Sequence, residues 1–210
     1  MSTPVDETEQ TPAEEPRRSF VSELPFLLLA ALIVAVLIKT FVVQPFYIPS
    51  GSMIPTLLVD DRVMVSKVSY LLGEPERGDV IVFENPYAPE IEESFPEAVV
   101  RSTLEALGIR TSVNDDLIKR VVGLGSETIE IRNNQLFIDG VVLDEAYLQT
   151  GVAMADFGPR AIAEDELFMM GDNRNESSDG RVFGPIPSDD VIGKAVFRIW
   201  PVDRLGAVDG

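Results

Sequence analysis

A mainly β, antiparallel domain carried on a single N-terminal transmembrane helix is the fold class this sequence predicts, and three observations predict it. One long apolar run occurs, from Leu24 to Ile38, continuing through Lys39 and Thr40 to Phe41-Val42-Val43. Beyond it, short runs of Val, Ile and Phe are broken by Gly, Pro, Asn and Asp, the texture of strands joined by turns. Helical spacing outside the apolar run is confined to Phe95–Leu107, with Pro96 in its first turn and Gly108 as its stop.

Residues 1–18 are rich in Glu, Thr and Pro and almost free of large apolar side chains, so burial cannot offset the entropy of folding. Residues 1–22 are therefore expected to be a disordered tail. Residues 23–43 supply roughly the 20 residues with which a helix crosses a bilayer. A buried core helix would carry a polar face, and residues 26–38 have none. A cleaved leader would need a small-x-small site soon after the run and a short basic start; this chain has a long acidic one. Lys39, near the end of the run, is expected to snorkel its amine to the interface. Arg17 and Arg18 precede the run, and no basic residue lies between Lys39 and Arg62. The positive-inside tendency then puts the N-terminus in the cytoplasm and residues 44–210 outside the cell membrane.

Strands are predicted at Arg62–Val68, Asp79–Phe83, Leu117–Val122, Thr128–Arg132, Leu136–Ile138, Val141–Leu143, Glu166–Met170 and Val191–Trp200. Asn133-Asn134 and Asp139-Gly140 read as tight hairpin turns. An insertion at about 85–116 interrupts the pattern.

Composition restricts the chemistry sharply. The chain contains no histidine and no cysteine, which excludes a Ser-His-Asp triad, a Cys-His pair, and any imidazole or thiolate metal site. Disulfides are equally impossible. A formal charge of −18, from 17 basic and 35 acidic residues, argues against nucleic acid as a partner. No cofactor or metal is expected. What remains for a hydrolase is a serine with a lysine or carboxylate base.

A Ser-Gly-Ser turn just beyond the apolar run, Ser50-Gly51-Ser52, fits such a serine: the glycine permits a tight turn that presents Ser52 Oγ on one side and its N–H toward a developing oxyanion. Ser50 could add a hydroxyl donor. Taken alone, Ser-Gly-Ser is more often a plain surface turn. The chain has four lysines, Lys39, Lys67, Lys119 and Lys194. Setting aside Lys39, three candidate bases remain. Lys119 stands among apolar neighbours that would strip water from its amine and lower its pKa, but spacing alone does not choose it over Lys67 or Lys194. The polar stretch Gly171–Arg181 suits a loop that positions catalytic groups, with Asp179 and Arg181 a candidate ion pair. It lacks the alternating carboxylates and terminal Glu of a calcium loop.

Four ordered segments resemble the motifs of bacterial type I signal peptidases, membrane-anchored serine proteases that remove signal peptides from exported proteins. They are Ser50-Gly51-Ser52-Met53-Ile54-Pro55-Thr56-Leu57, Arg77-Gly78-Asp79-Val80-Ile81-Val82-Phe83, Ile118-Lys119-Arg120-Val121-Val122-Gly123, and Gly171-Asp172-Asn173-Arg174 through Asp179 and Arg181. The resemblance covers residues 24–205. It implies that Ser52 is the nucleophile and Lys119 its general base in a Ser-Lys dyad. Ser177 would hold Lys119 by its hydroxyl, Ser50 and the Ser52 N–H would form the oxyanion hole, and Asp179 and Arg181 would support the site. It further implies an acyl-enzyme, substrates with small side chains at the first and third positions before the cut, and Phe41, Val42, Val43, Phe46 and Tyr47 holding the domain against the bilayer. Implied partners are signal-peptide-bearing preproteins, the lipid bilayer and the protein translocation machinery. Two departures stand out: Gly123-Leu124-Gly125-Ser126-Glu127 lacks a proline the family often has, and Gly180 stands where serine is common.

Rival readings fit less well. A self-cleaving repressor of the Ser-Lys type would need a DNA-binding segment. Penicillin-binding proteins require Ser-x-x-Lys and α/β-hydrolases Gly-x-Ser-x-Gly, and both patterns are absent. An anchored β module that binds partners without catalysis is the non-enzyme alternative.

Overall fold

The computed structural model describes residues 20–87 and 116–208, with side chains for all of these except 20–23, 35–41 and 71–72. Residues 1–19 of the predicted tail, the helix at Phe95–Leu107, most of the insertion and the Lys39 side chain lie outside the described residues, whereas residues 20–22, expected in the tail, belong to a helix. The chain divides into two compact units, Met1–Ala35 and Val36–Gly210.

The first unit contains most of helix α1, Phe20–Phe41. Its 22 residues extend about 33 Å at the usual helical rise. Leu27, Leu28 and Leu29 are consecutive and all exposed, so the apolar surface wraps more than one face of the helix. Among the described residues no helix is long and apolar enough to cross a membrane; the predicted crossing rests on the sequence of the whole run. The run also ends earlier than expected. Helix stops at Phe41, and Val43–Tyr47 forms strand β1, paired antiparallel with β2. Pairing with a neighbouring strand satisfies backbone groups that the apolar pattern alone assigns to helix.

The second unit is β. Its remaining strands are β2 Arg62–Ser66, β3 Val80–Phe83, β4 Leu117–Gly123, β5 Thr128–Arg132, β6 Gln135–Ile138, β7 Val141–Val142, β8 Phe157–Ala161, β9 Glu166–Met170, β10 Ile186–Pro187, β11 Val191–Trp200 and β12 Gly206–Ala207. Two four-residue helices, α2 Ser69–Leu72 and α3 Gly180–Phe183, complete the elements used below. An eight-stranded sheet runs β1-β2-β11-β3-β4-β9-β10 with β12 on β11, and a four-stranded sheet runs β7-β6-β5-β8. Every described pair is antiparallel.

The predicted strands are present, three with the expected bounds and the others with one end shifted by one or two residues. Both hairpin turns take positive φ at each central residue, 48° and 62° at Asn133-Asn134 and 49° and 78° at Asp139-Gly140, the geometry that suits the twist of the flanking strands. Strands β1, β8, β10 and β12 are additional. Each contains Pro or Gly or only two residues, which weakens the alternation that marks a strand.

β3 and β4 are buried along nearly their whole length. One core cluster, Met53, Leu57, Val63, Val65, Val80, Val82 and Ile118 among others, joins the Ser-Gly-Ser turn to the sheet. A second, with Ile81, Phe83, Val121, Leu167 and Met169, lies around β3, β4 and β9.

Candidate active site

β4 is central, so its side chains lose water on both faces of the sheet. Lys119 shares a face with Leu117 and Val121, and only 3% of it is exposed. Its Nζ lies 2.9 Å from Ser52 Oγ and donates to the Ile118 carbonyl, also at 2.9 Å. Among the described residues no carboxylate pairs with it. Burial pulls its pKa down from 10.5 to about 8, against a smaller upward pull from the negative charge of Asp179. An amine near pKa 8 is neutral in a useful fraction of molecules at mildly alkaline pH, and a neutral amine at 2.9 Å can accept the Ser52 O–H.

The other lysines are placed differently. Lys194 Nζ is ion-paired with Asp79. Lys67 lies just past the end of β2 and is half-buried. Lys119 is the lysine that meets Ser52.

Ser52 is held from below and from the side. Met53 and Leu57 are fully buried in the core and anchor the turn, and Leu57 N–H donates to the Met53 carbonyl at 2.9 Å. From the side, Asn173 donates its backbone N–H to the Ser52 carbonyl and its side-chain Nδ2–H to the Gly51 carbonyl, both at 3.0 Å. Gly171 passes so close that a Cβ there would sit 2.5 Å from the Ser52 carbonyl oxygen and 2.2 Å from Ser177 Oγ; glycine is required by close approach.

The loop that delivers Gly171 and Asn173 is built on buried ion pairs. Arg120, next to Lys119 but on the opposite face, makes a two-point bond to Asp172, Nε to Oδ1 at 2.9 Å and Nη2 to Oδ2 at 2.8 Å. Both side chains are fully buried. Arg120 also donates to the Gly78 carbonyl at 2.6 Å and stacks over the Tyr147 ring at 4.0 Å, while Thr56 donates its hydroxyl to Asp172. These contacts tie the serine turn, β4 and the polar loop together. Arg174 adds a bond from Nε to the Gly171 carbonyl at 2.9 Å and an ion pair with Glu145.

Asp179 and Arg181 are joined, as their sequence spacing predicts: Arg181 Nε and Nη2 each donate to the Asp179 carboxylate at 2.8 Å. Asp179 further accepts from the Gly171 N–H at 3.0 Å and caps α3 through the Arg181 N–H. Gly180 begins that helix in contact with β9; a Cβ there would lie 2.8 Å from the Met169 carbonyl oxygen and 2.9 Å from the Phe168 ring, so a serine fits only if the neighbours move.

Two placements differ from expectation. Ser177 Oγ is buried beside Gly171 but makes no hydrogen bond, so it does not hold Lys119 in this structure. Ser50 is exposed, and among the described residues its hydroxyl makes no hydrogen bond. Asn173, Asp172, Arg120 and Thr56 belong to the site although the sequence reading assigns them no role in it. For two of them a signal exists: Arg120 is a basic residue inside an apolar strand and Asp172 an acidic one two residues past the end of another, and a charge so placed calls for a buried partner.

Among the described residues no cluster of three or more His, Cys, Asp or Glu could hold a metal ion. The profile of the signal peptidase, peptidase S26, family matches residues 21–200. Signal peptidase I of Leptolyngbya laminosa is 39% identical over 176 residues, covering 84% of this chain and 78% of that protein. A probable signal peptidase I-2 of Synechocystis is 35% identical over 202 residues, covering 96% and 83%. Signal peptidase I of Mycobacterium tuberculosis is 35% identical over 231 aligned positions, covering 93% and 79%. The chain belongs to the signal peptidase family, peptidase S26, and is a serine endopeptidase.

Proposed function

We propose that this protein is a membrane-bound endopeptidase that removes N-terminal signal peptides from exported preproteins with a Ser52-Lys119 dyad and an acyl-enzyme intermediate. The observation that carries the reading is the 2.9 Å separation of Lys119 Nζ and Ser52 Oγ inside a dry site. Neutral Lys119 takes the Ser52 proton as Oγ attacks the scissile carbonyl. The tetrahedral oxyanion is received by the Ser52 N–H and the Ser50 hydroxyl. The C–N bond then breaks, protonated Lys119 gives its proton to the leaving amine, and an ester links the signal peptide to Ser52. Water, deprotonated by the regenerated amine, attacks the ester, and Ser52 recovers its proton from Lys119.

Asp179 and Arg181 support the site by fixing the Gly171 backbone beside Ser52. In the same reading α1 crosses the bacterial cell membrane with its N-terminus in the cytoplasm, and the β unit works outside. Exposed Val42 and Tyr47, with half-buried Val43 and Phe46, meet the lipid. Small side chains at the first and third positions before the cut suit an extended peptide whose alternate residues enter shallow pockets. Preproteins and the translocation machinery that delivers them are the partners. Full-length protein in detergent, incubated with a preprotein, tests the reading. Cleavage is expected to fall at least about a thousandfold in Ser52→Ala and in Lys119→Ala, and undiminished cleavage in either would remove that residue from the dyad.

A further inference from the structure

The Gly51–Ser52 peptide is trans, so its carbonyl and the Ser52 N–H point in opposite directions across one rigid plane. Whatever fixes the carbonyl therefore aims the N–H. Two donors reach the Gly51 carbonyl, the Ile54 N–H from within the same turn at 3.2 Å and, at the shorter distance of 3.0 Å, the side chain of Asn173, whose backbone N–H also holds the next carbonyl, that of Ser52, at 3.0 Å. A carbonyl only accepts, so the Asn173 atom facing Gly51 is the amide nitrogen. Among the described residues, the Ser52 N–H itself donates to nothing. It is a backbone donor with a fixed direction and no partner, at the base of the serine that faces Lys119.

We propose that Asn173 is a positioning residue that aims the Ser52 N–H at the oxyanion by gripping the Gly51 carbonyl. The inference rests on Ser52 being the nucleophile. Asn173 does not touch the reacting atoms. Its neighbours give it the stiffness to act this way. Asp172 is locked to Arg120 and Thr56, and Arg174 to Gly171 and Glu145, so the residues on either side of Asn173 are pinned by buried charge-assisted bonds. Without the side-chain grip the Gly51 carbonyl keeps only the longer bond from the Ile54 N–H, the Gly51–Ser52 plane rotates more widely about glycine's permissive dihedrals, and the donor swings off target.

The test uses the full-length protein in detergent, a fluorogenic peptide with alanine at the first and third positions before the cut, and the variants Asn173→Ala and Asn173→Asp. The aspartate variant is isosteric, keeps the backbone bond to Ser52 and opposes the Gly51 carbonyl with a second acceptor. Both variants are expected to lower kcat by about 10- to 100-fold, on the scale of weakening an oxyanion donor. KM should stay within about twofold in both, and in Asn173→Ala, which changes no charge near Lys119, the pH midpoint of kcat/KM should not move.

A peptide aldehyde, whose Ser52 adduct needs the oxyanion site, is expected to bind worse by the same factor as kcat falls. The acid product peptide, which needs no tetrahedral centre, should bind as before. Unchanged kcat in both variants, while Ser52→Ala and Lys119→Ala are inactive, overturns the role of Asn173 and leaves the dyad standing. Parallel loss of aldehyde and product binding also overturns it, since that marks a collapsed cleft rather than a misdirected donor. Full cleavage by Ser52→Ala overturns the dyad reading and this inference together.

Discussion

Two lysines stand in one row of the eight-stranded sheet, on either side of Ile81. Lys119 on β4 and Lys194 on β11 are both register partners of that residue, so both side chains leave the same face of the sheet. Their environments are opposite. Lys194 is about one-third exposed at its side chain and bound to Asp79; Lys119 is 3% exposed, with a serine hydroxyl and a carbonyl for company. Lys194 has a carboxylate partner and water nearby. An amine without either is pushed toward neutrality, and on the proposed mechanism that state is the reagent. Basicity useful for catalysis is thus set by position along a row.

The largest break in that comparison comes from making Lys119 permanently charged. Lys119→Arg is expected to lower signal-peptide cleavage by at least about a thousandfold, because a guanidinium does not deprotonate in this range. The same change at Lys194 should leave initial rates within about threefold. Rates near wild type in Lys119→Arg would transfer the base role elsewhere.

Next in size is a loss of stability on the other face of β4. Asp172→Ala leaves Arg120 charged, buried and without its carboxylate, and is expected to cost about 3–5 kcal/mol in unfolding by urea. A loss under about 1 kcal/mol would mean the pair is not carrying the loop.

A smaller effect concerns pH. The folded pKa of Lys119, about 8, lies below its ordinary 10.5, so between those values the unfolded chain binds more protons than the folded one, and stability rises with pH. Below pH 8 both states are protonated and the full penalty for a buried ammonium applies, roughly 3 kcal/mol at about 1.36 kcal/mol per unit. Lys119→Met should therefore be more stable than wild type at pH 7 and should lose that upward slope between about pH 8 and 10.5. A slope unaltered by the substitution would locate the titration in another group. The smallest expectation belongs to Lys194→Ala: its pair is partly solvated, and a change within about 1 kcal/mol is expected by thermal or urea unfolding.

Much of the fold was legible because half-buried strands alternate and hairpin turns need particular residues. Asn133-Asn134 and Asp139-Gly140 are residues that tolerate positive φ, and they adopt it. β1 was hidden for a physical reason: Val43 continues an apolar run with no marker where helix gives way to strand, and the pairing partner, β2, lies beyond the whole serine turn. The site was legible in type and not in geometry. Absence of histidine and cysteine left serine with a lysine or carboxylate base, yet the 67-position separation of Ser52 and Lys119 carries no spacing rule; only the order of the four motifs distinguished Lys119 from Lys67 and Lys194. Asn173 could not be distinguished from any polar loop residue, since its importance lies in which carbonyls it faces.

Dryness, rather than a cationic neighbour, is what lowers the Lys119 pKa. A dehydrated amine responds to whatever seals it. On the proposed mechanism a peptide arriving over Ser52 adds to a burial the fold already supplies, and so sharpens further the very base about to act on it.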